Sequence, residues 1–261
     1  MSKKKRSREE RKQYIFALKQ MSAREIKRKY ARSHLGIVWS VLNPLLSMAV
    51  ISMIFSTIFK RSIENFPIYY MTGFVLWNFF STATNTAMTA LVDNKNLLLK
   101  VKMSKQTFVL SRILTALVNL GYTCIAYIMM LLVFQVKLSY AILLLPVPVF
   151  FLTLFSTGIS YILSIAYVFF ADIKHLYGVL LTLWMYMCAI FYPVDNVPIK
   201  VQSIIKINPL YSYIEFAREC VLNQNVPPLS VWIKMILWGL GMFFVGWYVF
   251  KRKENSVMQK V

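Results

Sequence analysis

Acidic residues are scarce in this chain: ten Asp and Glu stand against thirty Lys and Arg in 261 residues. None of the ten falls inside the long apolar runs, so no run carries the carboxylate that a proton or ion relay at membrane depth requires. Only two histidines occur, His34 and His175, far apart at the edges of different runs, which argues against a metal pair and against a Ser/His/Asp set. No glycine is followed by lysine, so a phosphate loop of the G-x-x-x-x-G-K-[ST] type is excluded and the chain holds no ATP by that route. The three cysteines have no metal or redox spacing. Cys124 and Cys188 sit in apolar runs as core residues, and Cys220 stands alone as a free thiol.

Apolar residues fill the space that these absences leave. The hydrophobic share is 58%, above the roughly 45–50% of soluble domains. Six runs stand out: Ile37 to Phe59, Ile68 to Leu91, Phe108 to Phe134, Ala141 to Phe170, Leu176 to Pro193 and Val231 to Phe250. Each has, or nearly has, the roughly 20 residues a helix needs to cross a bilayer core. Backbone groups must be satisfied internally in lipid, so the expected fold is an all-α integral membrane protein with six transmembrane helices. Pro44 kinks the first span, and Pro146 and Pro148 the fourth.

The net charge of +20 is unevenly placed. Twenty-three of the thirty basic residues lie in the head, the second and fourth connections, the entrance of the third span and the tail. This positive-inside bias puts both termini in the cytoplasm and outweighs a nucleic-acid reading. Residues 1–36 form a cytoplasmic head, with an irregular basic tip through Arg8 and then an amphipathic interface helix from Glu9 to Arg32. Residues 37–250 form the transmembrane domain, and 251–261 a cytoplasmic tail. Arg24, Arg28 and Arg32, four apart on one face, are candidate lipid-phosphate contacts.

Two connections invite function. Residues 92–107 contain Asn94, Lys95, Asn96, Leu97, Leu98, Leu99 and Lys100, with Asp93 or Asn94 expected as a helix N-cap. Three successive leucines on a short exposed helix point to a docking surface for a soluble partner. Residues 194–230 are long, partly apolar and broken at Asn208–Pro209. Ile199 to Ile207 and Tyr211 to Leu222 are too short to span, so a re-entrant helix pair between spans five and six is expected as an outer gate. Pro209, Glu215 and Arg218 are its candidate residues, with Glu215, Arg218 and Glu219 paired at a wet mouth and Ile204, Ile205 and Ile207 deeper. Of the many aromatics, Tyr70, Trp77, Trp184 and Tyr192 are candidates for a glycan channel, since their rings offer an apolar face with a polar tip.

Several segments together resemble one family. They are R-K-Y-A-R-S-H-L-G-I-V-W-S-V-L-N-P-L from Arg28 to Leu45, P-I-Y-Y-M-T-G-F-V-L-W-N-F-F from Pro67 to Phe80 and N-K-N-L-L-L-K-V-K from Asn94 to Lys102. F-F-A-D-I-K-H from Phe169, F-Y-P-V-D-N-V-P from Phe191 and I-N-P-L-Y-S-Y-I-E-F-A-R from Ile207 follow in order. The chain is similar to the membrane subunits of type-2 ABC exporters for cell-surface polysaccharides, which include O-antigen, capsule and teichoic acid permeases. It departs from them at Ala171, where the family has Arg, and at Met103-Ser104, where Phe-Pro is common. The resemblance implies a homodimeric permease with no catalytic residues and no cofactor in this chain. ATP and Mg would sit on a partner ATPase dimer, and the cargo would be a lipid-pyrophosphate-linked glycan. A permease of another ABC export class, for drugs or lipids, is the near alternative. A membrane-embedded glycan-processing enzyme is the distant one and would need Asp93 or Asp172.

Overall fold

The computed structural model describes residues 3–31, 33–58, 65–100, 103–137 and 139–260, with side chains omitted for 3–11, 56–58, 255 and 257–260. All regular secondary structure among the described residues is helical, without strands. In chain order the helices are α1 (Lys3–Tyr30), α2 (Val38–Ile58), α3 (Phe66–Met88), α4 (Ala90–Asp93), α5 (Lys95–Lys100), α6 (Lys105–Val133), α7 (Pro146–Phe169), α8 (Ile173–Tyr186), α9 (Ile199–Ile207), α10 (Pro209–Val221) and α11 (Leu229–Lys260). Short 3-10 turns at Tyr140–Leu144 and Val194–Asn196 lead into α7 and α9.

Among the described residues four helical stretches are long and apolar enough to cross a membrane: Val38–Phe55, Lys105–Val133, Tyr140–Phe169 and Leu229–Glu254. The expected second span is present as the 23-residue α3, but its polar residues lower its apolarity. The fifth run, Leu176 to Pro193, is not one helix. Its helix α8 has 14 residues, about 21 Å at 1.5 Å per residue, and ends at Tyr186 in a turn through Ala189, whose φ is +49°. Two other expectations change. The basic tip is helical from Lys3 onward, not irregular through Arg8. Pro146 does not kink a span: it opens α7, where its missing N–H costs nothing.

The helices pack as a bundle around α3, whose residues Ile68, Met71, Phe80, Ala83, Ala87 and Met88 are fully buried. α7 and α11 run in the same direction. Gly239 lies against Phe151, while Gly246 lies against Gly158, so the contact advances along both chains together. Their backbones touch at Gly158 and Gly246, the close approach that small residues permit between membrane helices. The start of α11 therefore stands level with the start of α7.

Candidate functional site

At the α1 end of the bundle, three elements are tied by charge. Ser22 on α1 donates to the Ser111 carbonyl on α6 at 3.0 Å, which fixes the register of the two helices. One turn further, Arg112 on α6 donates to Glu25 at 2.6 Å and to Asp93 at 3.0 Å. Thr89 donates to the same Asp93 oxygen at 2.7 Å. Arg24 donates to the Asn94 side-chain oxygen at 2.6 Å, and the Asn94 amide donates to the Ala90 carbonyl at 2.8 Å. Glu25 is buried, and a buried carboxylate persists only when paired. Arg112 is that partner.

Beside this cluster opens a groove. It comprises cavities of about 600 and 180 Å³ that share Lys29, Thr82 and Asn119. Arg28 and Lys29 of α1 stand at one part of its wall, with Thr115 and Asn119 of α6 and Thr82 and Thr86 of α3. Asn43 and Ser47 of α2 and Asn78 of α3 line the other part, with Tyr30, Trp39 and Phe74 adding aromatic surface. Tyr30 closes one corner: its hydroxyl bonds Ser40 on α2 and donates to Asn119 at 3.1 Å.

These positions sort the candidate phosphate contacts. Arg28 lines the groove, Arg24 is turned away to Asn94, and Arg32 lies outside the described residues. Lys29 and the polar ladder of α3 escaped the sequence reading. The signal was present in the spacing of four between Asn78, Thr82 and Thr86.

The docking segment also differs from expectation. Asp93 does not cap a helix; it ends α4 and binds Arg112 and Thr89. Asn94 lies between α4 and α5 and holds Arg24 and Ala90 instead. Only Leu99 is exposed, Leu97 is half-buried and Leu98 packs in the core. Successive residues on a helix are turned by about 100°, so three in a row cannot share a face. Lys95, Asn96, Leu99 and Lys100 form the open surface of α5.

At the opposite end, α10 plugs the bundle. Asn208 caps it by accepting from the Leu210 N–H at 3.1 Å, and also accepts the Trp184 indole N–H at 2.8 Å. Pro209 is thus the first residue of α10, pre-set for that position. Arg218 does not pair with Glu215 or Glu219. Its guanidinium lies over the Tyr69 ring, 3.6 Å from the centroid, and donates to the Ala189 and Ile190 carbonyls at 3.0 and 3.4 Å. Gly73 leaves it room, since a Cβ there would come within 3.2 Å of Arg218 Nη2. Tyr69 donates in turn to the Tyr192 carbonyl at 2.8 Å. The turn after α8 is therefore stapled to α3 and α10. Glu215 and Glu219 remain on the wall of a cavity of about 820 Å³ at this end, beside Asn65, Lys137 and Lys206. Burial raises the Glu215 carboxyl above its ordinary range, with Lys234 opposing. Ile204 and Ile207 are exposed while Ile205 is buried, so α9 is amphipathic and not uniformly deep.

The aromatic candidates mostly serve the core. Tyr70 and Trp77 are enclosed by their own chain, with Tyr70 stacked against Phe74 and Phe191 and Trp77 tilted against Phe80. The Trp184 N–H is committed to Asn208 and its ring meets Phe80 edge-on. Tyr192 is half-buried and donates to the Tyr186 carbonyl at 2.6 Å. Neither Tyr70 nor Trp77 presents a face to a sugar.

The staple makes one prediction. Arg218→Ala removes the donor to the Ala189 and Ile190 carbonyls and the cation from the Tyr69 ring, at a cost of about 2 kcal/mol or more. Cys188 and Cys220 are buried in the native protein, so a small maleimide should label neither. In the variant Cys188 should label at a rate at least tenfold higher; an unchanged rate would show that the turn holds without Arg218.

Residues 17–222 match the family model described as ABC-2 type transporter. The chain is 27% identical over 240 residues to an O-antigen export system permease protein of Myxococcus xanthus, covering 89% of this chain and 92% of that one. It is 26% identical over 243 residues to a permease protein of the same description from Klebsiella pneumoniae, covering 92% and 93%. It is 23% identical over 240 residues to a polysialic acid transport protein of Escherichia coli, covering 90% and 92%.

Proposed function

The chain belongs to the ABC-2 type transporter family of membrane proteins, and on that premise we propose that it is the permease subunit of an ATP-driven exporter of a lipid-linked polysaccharide. The observation that carries this is its likeness, over about nine-tenths of its length, to permeases for O-antigen and polysialic acid. A separate ATPase supplies the energy, with ATP and Mg bound on that partner. The working unit is a homodimer in the bacterial plasma membrane with both termini cytoplasmic, as the basic head and tail favour.

In this reading the chain crosses six times. The parallel course of α7 and α11 supports it, because one further traverse between them, through α8, returns the chain to the level at which α7 began. The α9–α10 pair then acts as the outer re-entrant gate, and the capped break at Asn208–Pro209 supports that role. The enzyme alternative loses ground at Asp93, whose carboxylate is held by Arg112 and Thr89.

Deletion of the chain should abolish surface polysaccharide and leave its lipid-linked form inside, with restoration by the plasmid copy. Unaltered surface polysaccharide would overturn the assignment. The ATPase should dock on α5. Leu99→Ser should weaken copurification at least tenfold, as the loss of one buried leucine of about 1.5–3 kcal/mol implies, with the permease still folded. Leu98→Ser should instead lower the yield of folded permease, because Leu98 is core. Equal copurification of the Leu99 variant and the native chain would remove α5 as the dock.

A further inference from the structure

Between Val75 and Met88 every apolar side chain of α3 is buried. The residues left open are Asn78, Ser81, Thr82, Asn85 and Thr86, all polar. Other helices do the reverse: α2 exposes Leu46, Val50, Met53 and Ile54, and α8 exposes Leu176, Val179, Leu180 and Leu183. Lipid accounts for those faces and cannot account for this one, since an unpaired amide in hydrocarbon costs several kcal/mol. Ser81 and Thr86 bond carbonyls of their own helix, while Asn78, Thr82 and Asn85 have no side-chain hydrogen bond among the described residues. The open face of α3 therefore meets water or a polar ligand.

Three of its residues, Asn78, Thr82 and Thr86, face the groove, and they span about 12 Å along the helix axis. Across from them stands Asn119, whose oxygen is taken by Tyr30 and whose amide is left to donate. Trp39 and Phe74 add ring surface beside the amides. Arg28 and Lys29 stand on the wall that also carries the Glu25–Arg112–Asp93 cluster, Lys29 where the two cavities meet, and Arg28 makes no ion pair among the described residues. Amides and hydroxyls in line, with aromatic rings beside them, are the complement of pyranose rings: equatorial hydroxyls bond the former and C–H faces rest on the latter. With Glu25 and Asp93 both paired to Arg112, the cations Arg28 and Lys29 of this wall suit an anionic linkage.

We infer that the groove between α1, α2, α3 and α6 binds the first sugars of the cargo along Asn78, Thr82 and Thr86, with Arg28 and Lys29 holding the phosphate that joins sugar to lipid. This rests on the permease reading and adds the contact residues.

The test uses the full chain with its ATPase in lipid nanodiscs and a polyprenyl diphosphate bearing a short oligosaccharide as probe. A photo-crosslinking amino acid replaces Thr82 or, as a lipid-facing control, Val179. Position 82 should capture the probe and position 179 should not, and sugar-free polyprenyl diphosphate should compete at least tenfold less well than unlabelled probe. The triple variant Asn78→Leu, Thr82→Val, Thr86→Val should bind the probe at least tenfold more weakly. Asn85→Leu, on the same face but off the groove, should bind as the native chain does. Equal capture at 82 and 179, equal competition by the sugar-free lipid, native binding by the triple variant, or an equal loss in Asn85→Leu would each overturn the groove assignment. Surface polysaccharide in a deletion strain separates the two claims. If the native chain fails to restore it, the permease reading falls; if native and triple variant restore it equally, only the groove falls.

Discussion

Gly158→Val should yield no folded protein. The α7–α11 contact explains why. A Cβ on Gly158 would run into the carbonyl of Met242, and one on Gly246 into the carbonyl of Gly158. Both obstacles are backbone, so no rotamer change relieves them, unlike ordinary overpacking at about 1–3 kcal/mol. The helices must separate, and with them go the buried contacts they share, Tyr161 on Phe250 among them. Without a hydrophobic force between helices in lipid, close van der Waals contact is what holds such a pair, and separation forfeits it. Gly246→Val should behave alike. Gly121→Ala and Gly178→Ala are the controls: nothing lies within 4 Å of a Cβ at either, and alanine is the better helix former. Size-exclusion profiles in mild detergent should show a monodisperse peak for the controls and aggregate for the two valine variants. A monodisperse Gly158→Val would mean that the crossing has slack.

The helical class, the short α9 and the break before α10 were legible because their signals are local. Pro198 and Asn208–Pro209 bracket Ile199–Ile207, and helix propensity obeys them. What escaped depends on which side of an apolar helix meets protein. A helix that is apolar all round carries no amphipathic stripe, so sequence cannot separate its lipid face from its core face. Tyr70 and Trp77 lie on α3 away from its polar stripe, so ring chemistry alone marks them as channel aromatics although their own chain encloses them. The three leucines mislead for the opposite reason, because adjacency in sequence is not a shared face on a helix. Arg24 has the spacing of a phosphate ligand, yet its partner Asn94 lies 70 positions away, and no local pattern announces such a pairing. The groove was readable in part: α3 carries polar residues at helical spacing inside an apolar run, which is costly unless that face is wet.

Arg112→Ala should release α1 from the bundle and stop export. Arg112 is the cation for both Glu25 and Asp93, and these carboxylates sit on two different elements, α1 and α4. With the guanidinium gone, Glu25 stays buried with only the 3.5 Å contact to the half-exposed Arg24. Removing one partner of a buried pair costs about 3–5 kcal/mol, because the surviving charge is left in a medium that cannot solvate it. The cheapest escape is for Glu25 to swing into water, which lifts α1 off α6 and opens the groove wall that Arg28 and Lys29 form. Asp93 loses its tether in the same step, so the α4–α5 segment is freed from the helix that carries Thr115 and Asn119. Trypsin should then cleave at Arg24 or Lys27 at least tenfold faster than in the native protein, while α7 and α11 stay protected. Arg112→Lys should recover only part of the protection, since a single ammonium cannot bridge both carboxylates as the forked guanidinium does. The double variant Glu25→Gln, Arg112→Met should regain most of it, because neither charge then remains buried between α1 and α6. If the double variant were as protease-sensitive as Arg112→Ala, the unpaired charge on Glu25 would not be the cause, and α1 would be held by Ser22 and its apolar face alone.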